Sequence, residues 1–256
     1  MTLLKQELKM NLKSLLIWTL CVGICCSGCI LMFESLEESM ADMGQMFAQL
    51  GSFSAAFGMD KVSIATLTGF YATEISIIFL LGGAMFAAMT GAVLLSKEEE
   101  VHTMPVSRNY IYVWKYMTLL LLILLFNAIC IGLDVVAFVA IGEEIAMAEF
   151  VEYHLLALIM QLEIGSICYL ISAVCRRKQI GPALGIAVLF YVMDIMCNIM
   201  PDLEFLKYFT PYYYANAAQI YSGGDSRMSL MFLGLAVTVV VVISGGVVYH
   251  KRDMSA

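Results

Sequence analysis

The sequence is poor in charged residues, in proline and in basic charge, and each shortage excludes a class of protein. Only 14% of the 256 residues are Asp, Glu, Lys or Arg, against roughly a quarter in soluble domains, which excludes a soluble globular protein. Four prolines and 19 glycines are too few for a collagen-like chain, and 61% apolar residues are too many for a disordered one. The net charge of -7 excludes the basic surface of a nucleic-acid-binding protein. A membrane protein remains.

Six long apolar stretches account for more than half of the chain. Because a helix rises about 1.5 Å per residue, about 20 apolar residues cross a hydrocarbon core of about 30 Å. The sequence therefore predicts an all-α membrane protein, a single transmembrane domain over 1–256 with six transmembrane helices. Small residues on one face of the second helix (Gly83, Ala87, Gly91) and of the fifth (Gly181, Gly185) predict close helix packing. The predicted helix bounds are 15–33, 71–95, 117–142, 153–174, 180–200 and 228–249.

The distribution of Lys and Arg predicts the orientation of these helices, because positive charge is retained on the cytoplasmic side. With both termini inside, the inner segments hold eleven of these residues, and the outer segments hold only Lys61, Lys207 and Arg227. We therefore expect cytoplasmic N- and C-termini in a multi-pass protein of the cell membrane. None of the eight cysteines lies in an outer segment, so the sequence predicts no disulfide framework.

Three flanking segments have patterns of their own. Residues 1–14 carry leucines on one stripe and lysines on the next, which predicts either a helix along the inner leaflet or a plain positive flank. The outer segment 34–58 repeats apolar residues every three or four positions, which predicts an amphipathic helix, broken near Gly51, on the outer leaflet or on a second copy of the chain. The aromatic segment 201–227 is expected to dip to the membrane interface as a belt.

The longest predicted cytoplasmic loop, residues 96–116, contains the signals of a short helix. Ser96 and Glu99 have the spacing of a capping box, and three consecutive glutamates lie in the first turn, where the helix dipole favours negative charge. Pro105 disfavours helical geometry at the residue before it, so the helix is predicted over 97–104. Such a helix suits docking into a groove of a cytoplasmic partner; the alternative is a solvated connecting loop.

Four stretches carry a family resemblance: Leu4–Trp18, Phe57–Tyr71, Leu95–Glu100 with Pro105–Arg108 and Lys115, and Tyr249–Met254. In this order they resemble the permease subunits of bacterial ABC-2 type ATP-binding cassette transporters. The resemblance implies that 97–104 is a coupling helix contacting a cytoplasmic P-loop ATPase subunit, that 1–14 is an interfacial connecting helix, and that 201–227 contains a re-entrant element. A second copy of the chain, or a related permease, is the implied membrane partner.

The resemblance also implies which residues couple the chain to the ATPase. Ser107, which lies between Pro105 and Arg108, can begin the third transmembrane helix. The implied coupling residues are Glu98, Glu99, Glu100, His102, Thr103, Pro105 and Arg108.

Charged carboxyl side chains inside the predicted helices are energetically unfavourable, because inserting a charge at the bilayer centre costs about 2.5 to 3.5 kcal/mol. Glu74 is expected at the outer interface, whereas Asp134, Glu163 and Asp194 lie deeper and should face the bundle interior, a partner or a cavity. These three are candidates for a substrate path. Glu163, nearest the midplane, is expected either to be protonated or to bind a cationic part of a substrate; the alternative is a neutral carboxyl group hydrogen-bonded between two helices. His154 is interpreted as an interfacial residue.

No catalytic constellation occurs in the sequence. The P-loop G-x-x-x-x-G-K-[ST], the zinc motif H-E-x-x-H and the G-x-S-x-G elbow are missing. Cys21, Cys25 and Cys29 share a helix face, which we interpret as apolar packing rather than a metal site. We therefore expect no catalytic residue, metal or cofactor on this chain, with ATP and Mg²⁺ bound by the partner ATPase.

The leading hypothesis is the permease subunit of an ATP-driven exporter in a bacterial cell membrane, surrounded by lipid. One alternative is an ion-coupled secondary transporter that uses Asp134, Glu163 and Asp194. The other is an intramembrane enzyme that uses Glu163 or His154.

Overall fold

The computed structural model describes residues 2–47, 50–96, 107–175, 177–224 and 227–251, and within these ranges every regular element is a helix. Six helices are long and apolar enough to cross a membrane, which confirms the predicted fold class. A π-helical turn, Tyr71–Ile75, joins α3 to α4, and two 3₁₀ turns, Pro201–Tyr208 and Pro211–Tyr213, precede α8. The helices are α1 (Thr2–Phe47), α2 (Ser52–Ala56), α3 (Leu67–Phe70), α4 (Ser76–Leu94), α5 (Arg108–Ile141), α6 (Met147–Val174), α7 (Ile180–Ile199), α8 (Ala217–Tyr221) and α9 (Met228–Lys251).

The six long helices alternate in direction, so the start of α1 and the end of α9 lie at the same end of the bundle. We name this the basal end; it holds the starts of α1, α5 and α7 and the last turns of α4, α6 and α9. Arg108, at the start of α5, donates from Nη1 to the carbonyl oxygen of His250 in the last turn of α9, at 3.0 Å. The opposite end is named the apical end.

The first transmembrane helix is longer than predicted. α1 runs unbroken for 46 residues, about 69 Å, more than twice the thickness of a hydrocarbon core. It joins the predicted flank 1–14, the first span and the start of the segment 34–58 into one helix, because no proline interrupts the sequence there. Gly51 has a φ of +36° and lies between the end of α1 and α2, near the predicted break.

Helices α4 and α6 form the centre of the bundle. In each, 61% of the most apolar stretch is buried, against 17% to 39% in the other four long helices. Gly91 lets them approach closely, because a Cβ there would overlap the carbonyl oxygen of Gly165. The predicted packing of the first small-residue stripe is thereby confirmed. The second stripe behaves differently, since a Cβ at Gly181 or Gly185 would meet no atom within 4 Å.

After α7 the chain turns back into the bundle. The hydroxyl of Thr210 donates to the carbonyl oxygen of Phe190 at 2.7 Å, about 13 Å below the apical end of α7. Residues 210–221, which we name the re-entrant segment, bury Tyr212 and Tyr214. Only the preceding 3₁₀ turn fits the predicted aromatic belt, with Tyr208 57% exposed. The sequence pattern alone did not predict that residues 210–221 turn back into the bundle, whereas the family resemblance implied a re-entrant element within 201–227.

Replacing Gly91 by Ala should loosen the central pair. The added methyl group must displace backbone of α6, so the free energy of unfolding should fall by about 1–3 kcal/mol, measured by thermal unfolding in detergent. Gly132→Ala on α5 is the matched control, because a Cβ there meets nothing within 4 Å. Equal losses in the two variants would contradict the close approach.

Candidate substrate path and basal junction

Asp134 is completely buried in the apical half of α5 and belongs to a chain of three polar side chains. The Tyr71 hydroxyl donates to Asp134 Oδ2 at 3.1 Å and lies 3.0 Å from His154 Nε2. Asp134 Oδ1 and His154 Nδ1 have no hydrogen-bond partner among the described residues. A tyrosine hydroxyl carries one proton and can also accept one. The hydroxyl can therefore connect the carboxyl group to the imidazole.

The position of His154 differs from the prediction. It is 5% exposed and packs its ring against Phe150 and Phe79, at centroid distances of 4.4 and 4.9 Å. The interfacial interpretation was wrong because α6 begins at Met147, which puts position 154 about two turns inside the helix. Tyr71 is the first residue of the π-helical turn, a distortion that is frequent at functional sites.

Glu163 is buried where α6, α9 and the re-entrant segment meet. The Tyr214 hydroxyl donates to Glu163 Oε2 at 2.9 Å. The glycine at position 234 of α9 makes room for this pair, because a Cβ there would overlap Glu163 Oε2. The sequence prediction that Glu163 faces the interior is confirmed, and its partner is a tyrosine from the apical side.

Asp194, on α7, lines a small cavity of about 30 Å³ together with Tyr212 and Asn216 of the re-entrant segment. Within the described parts of the chain, Asp194 Oδ1 and the Tyr212 hydroxyl have no hydrogen-bond partner, and a polar cavity of this size has room for water. The nearest basic charges come from the apical loops. Burial lowers the pKa of Lys61, and the charge of Arg227 lowers it further, whereas Asp194 raises it.

The three predicted acids all face the interior but do not form one site. Among the described residues no hydrogen bond or ion pair joins any two of them. What they share is the re-entrant segment. It contributes Tyr214 to Glu163, Tyr212 to the cavity at Asp194, and the Tyr221 ring to Tyr71, at 6.1 Å between centroids.

The basal end contains a buried ion pair. Lys115 Nζ lies 3.5 Å from Glu7 Oε1, and the two side chains are 0% and 1% exposed. The same ammonium group donates to the carbonyl oxygen of Leu94 at 2.7 Å, one of the carbonyl groups that the end of α4 leaves without an intrahelical partner. We name Glu7, Lys115 and Leu94 the basal junction. It joins the first turns of α1, the end of α4 and the start of α5.

Further hydrogen bonds extend this junction. The Leu95 backbone N–H donates to the Ser172 hydroxyl of α6 at 3.0 Å. The Tyr112 hydroxyl donates to the carbonyl oxygen of Val242 in α9, and the Tyr169 hydroxyl of α6 donates to the carbonyl oxygen of Tyr112, both at 2.7 Å. Among the described residues, the helix ends at the basal end, other than that of α7, are therefore linked by hydrogen bonds or the ion pair.

Most of the predicted coupling residues lie outside the described residues. Glu98, Glu99, Glu100, His102, Thr103 and Pro105 belong to this group, as does the whole predicted helix 97–104. Arg108 is described and contacts α9, as given above. Ser107 accepts a hydrogen bond from the Tyr110 N–H at 3.4 Å and is the N-cap of α5, which confirms that it begins the third long helix.

The sequence did not lead us to three residues that form the main buried contacts: Glu7, Lys115 and Tyr214. Glu7 could have been found, because it lies on the buried stripe of α1, four residues after Leu3 and eight before Leu15. Lys115 could have been found from the Ser107 cap, which places it about two turns inside α5. Tyr214 carried no signal, since nothing in a run of three tyrosines shows which of them point into the bundle.

Within the described parts of the chain, no group of three or more His, Cys, Asp and Glu side chains converges in a way that could hold a metal ion. A family model described as ABC-2 family transporter protein matches residues 1–254. No curated protein sequence matches the chain.

Removing one partner of the basal ion pair should cost more stability than removing both. Lys115→Met leaves the Glu7 carboxylate buried and unpaired, which should lower the free energy of unfolding by about 3–5 kcal/mol. The double variant Glu7→Leu/Lys115→Met should recover most of the loss, because two apolar side chains need no partner. A double-mutant cycle of unfolding free energies measures this, with Lys9→Met, at an exposed position of α1, as the control. Additive losses in the double variant would contradict the pairing.

Proposed function

The chain belongs to the ABC-2 transporter family, and from this premise we propose that it is the membrane permease of an ATP-driven exporter whose ATPase is a separate cytoplasmic subunit. Membership makes the chain a transport subunit in a membrane, not itself catalytic. Export, the separate ATPase and a bacterial cell membrane are the proposed parts. The observation that supports the coupling to a separate ATPase most directly is the basal junction, since it anchors both sides of the predicted coupling segment.

Force applied to residues 97–104 would reach three helices together. Leu94 and Ser107 flank this stretch, the first held by Lys115 and the second capping α5. Because Lys115 also pairs with Glu7, displacement of the segment moves α4, α5 and the start of α1 as one unit. A docked ATPase that closes on ATP supplies such a displacement. The basal end is then the cytoplasmic one, which agrees with the excess of Lys and Arg in the segments assigned to it.

A second copy of the chain, or a related permease, is the proposed membrane partner. Only 22% of the most apolar stretch of α7 and 17% of that of α9 are buried within the chain. The open faces carry large apolar side chains, such as Leu189 and Phe232, which fit lipid or another subunit. The unfilled stripe at Gly181 and Gly185 lies on the same helix α7 and would allow a close helix approach.

The proposed substrate path runs between the buried acids and ends at the re-entrant segment. Glu163 is the group that we place on this path, because its partner Tyr214 belongs to a segment entering from the apical side. Opening the apical end requires this segment to move, which would release the Glu163 carboxyl group. Released in this way, the carboxylate can pair with a cationic part of a substrate.

The second candidate function is an ion-coupled transporter, and one observation favours it. The chain Asp134, Tyr71 and His154 connects two titratable groups inside the bundle, an arrangement that proton-coupled transporters use. A P-loop ATPase encoded in a neighbouring reading frame, or one that co-purifies with the chain, would favour the first function over this one.

Charge reversal in the predicted coupling helix should uncouple transport. Lys at positions 98, 99 and 100 reverses the charge that we propose the ATPase groove recognises, so transport and ATPase co-purification should both fall. The triple Gln variant should give an intermediate loss, because it removes the charge without reversing it. The amount of protein in the membrane serves as the control. Normal transport with normal co-purification would overturn the coupling assignment.

Glu163→Gln tests the substrate path, because it keeps an acceptor for Tyr214 but removes the charge. If a cationic group pairs with Glu163, transport into liposomes should fall at least about tenfold, since a hydrogen bond to a charged group contributes roughly 1.5–3 kcal/mol. Glu143→Gln makes the same change at an exposed apical position and should transport normally. A Glu163→Gln variant with the original rate and substrate range would remove this residue from the path.

A further inference from the structure

The apical end contains a cavity lined almost entirely by hydrogen-bond donors. Its volume is about 370 Å³, within the range of roughly 300–1,000 Å³ that is typical of small-ligand sites. None of its described lining residues is acidic. The polar ones, each with an N–H or O–H donor, are Lys207, Tyr208, Tyr213, Gln219, Arg227 and Ser229. We name this the donor cavity.

The two basic side chains are held in place by tyrosine rings. The Arg227 guanidinium lies 3.7 Å from the centroid of the Tyr213 ring and donates to the Tyr213 carbonyl oxygen. Lys207 Nζ lies 5.4 Å from the centroid of the Tyr208 ring. Contacts of this kind orient a cation without neutralising it, so neither ring cancels the positive charge that it holds.

Lys207 also pairs with Glu204, at 2.6 Å between Nζ and Oε1. The Glu204 carboxylate is 58% exposed, and exposed ion pairs of this type contribute little stability. A ligand in the donor cavity can therefore compete for the lysine. The acidic side chains Glu149 and Glu152 line a separate cleft, which shares only Gln219 and Arg227 with the donor cavity.

The basic lining of the donor cavity contrasts with the acidic character of the apical segments. The predicted outer segments contain only three basic residues among many acids, and two of the three line the donor cavity. The third, Lys61, is absent from its lining. Two rare cations in one donor-lined cavity are suited to an anion, and the planar fork of an arginine suits the oxygen atoms of a phosphate group.

The level of the cavity in the membrane indicates where that phosphate comes from. Phe205, Tyr208 and Phe209, in or beside the 3₁₀ turn that carries Lys207, are 54%, 57% and 62% exposed. Exposed aromatic side chains of this kind lie at the headgroup level of a bilayer. We infer that the donor cavity binds a phosphate group, and its level favours a membrane-lipid headgroup over free phosphate.

Lipid titrations of the purified protein in detergent test this inference. The probes are phosphatidylglycerol, diacylglycerol and inorganic phosphate, and the readout is native mass spectrometry together with the shift in unfolding temperature, because a ligand of the folded state raises that temperature. We expect binding of phosphatidylglycerol but not of diacylglycerol, which lacks the phosphate. Arg227→Gln should weaken binding by roughly tenfold or more, since charged hydrogen bonds are lost.

Lys207→Gln should also weaken phosphatidylglycerol binding several-fold, and because Lys207 lies at the surface this variant folds even if Arg227→Gln does not. Lys61→Gln is the matched control, an apical lysine outside the donor cavity, and should bind as the original protein does. Binding of inorganic phosphate as tight as that of the lipid would identify free phosphate as the source. Unchanged lipid binding in Lys207→Gln, an equal loss in Lys61→Gln, or equal binding of diacylglycerol would overturn the inference.

Discussion

The buried ion pair between Glu7 and Lys115 is the constraint on which the basal half of the bundle depends. Each charge alone would be prohibitive in an apolar bundle, and their pairing, together with the hydrogen bond from Lys115 to the Leu94 carbonyl oxygen, offsets part of the cost of burying them. This requirement fixes the relative positions of three helix ends. The packing of the first turns of α1 follows from the same constraint, since Glu7 must lie on the buried stripe of α1 to reach Lys115 at the basal end.

The apical end is organised on a different principle. There the chain inserts residues 210–221 into the bundle. Tyr214 binds Glu163, Tyr212 lines the cavity at Asp194, and the Tyr221 ring packs against Tyr71, the partner of Asp134. Helices α4 and α6 connect the two ends, and their contact through Gly91 and Gly165 is backbone against backbone. Such packing has little freedom to adjust. Under the proposed function, a displacement at the basal junction would therefore be passed along α4 and α6 as a rigid-body movement.

The sequence was sufficient for features that depend on one segment at a time. Hydropathy located six long helices, the Ser107 cap located the start of α5, and the cost of burying charge placed Asp134, Glu163 and Asp194 inside the bundle. Features that depend on contacts between two distant segments could not be predicted from the sequence. The pairing of Glu7 with Lys115 spans most of the first half of the chain, and the burial of His154 depends on how α6 rotates against its neighbours.

The free energies needed to break the main contact at each end indicate which end of the bundle moves more readily. The apical contact of Tyr214 with Glu163 is a single side-chain hydrogen bond, and bonds of this kind contribute roughly 0.5–3 kcal/mol, depending on the charge. Breaking a buried ion pair such as Glu7 with Lys115 costs about 3–5 kcal/mol. A protein that alternates between states at moderate cost would therefore change at the re-entrant segment and keep its basal junction intact. Under the proposed function, this division would leave the transmission of force to the basal end and the opening of the substrate path to the apical end.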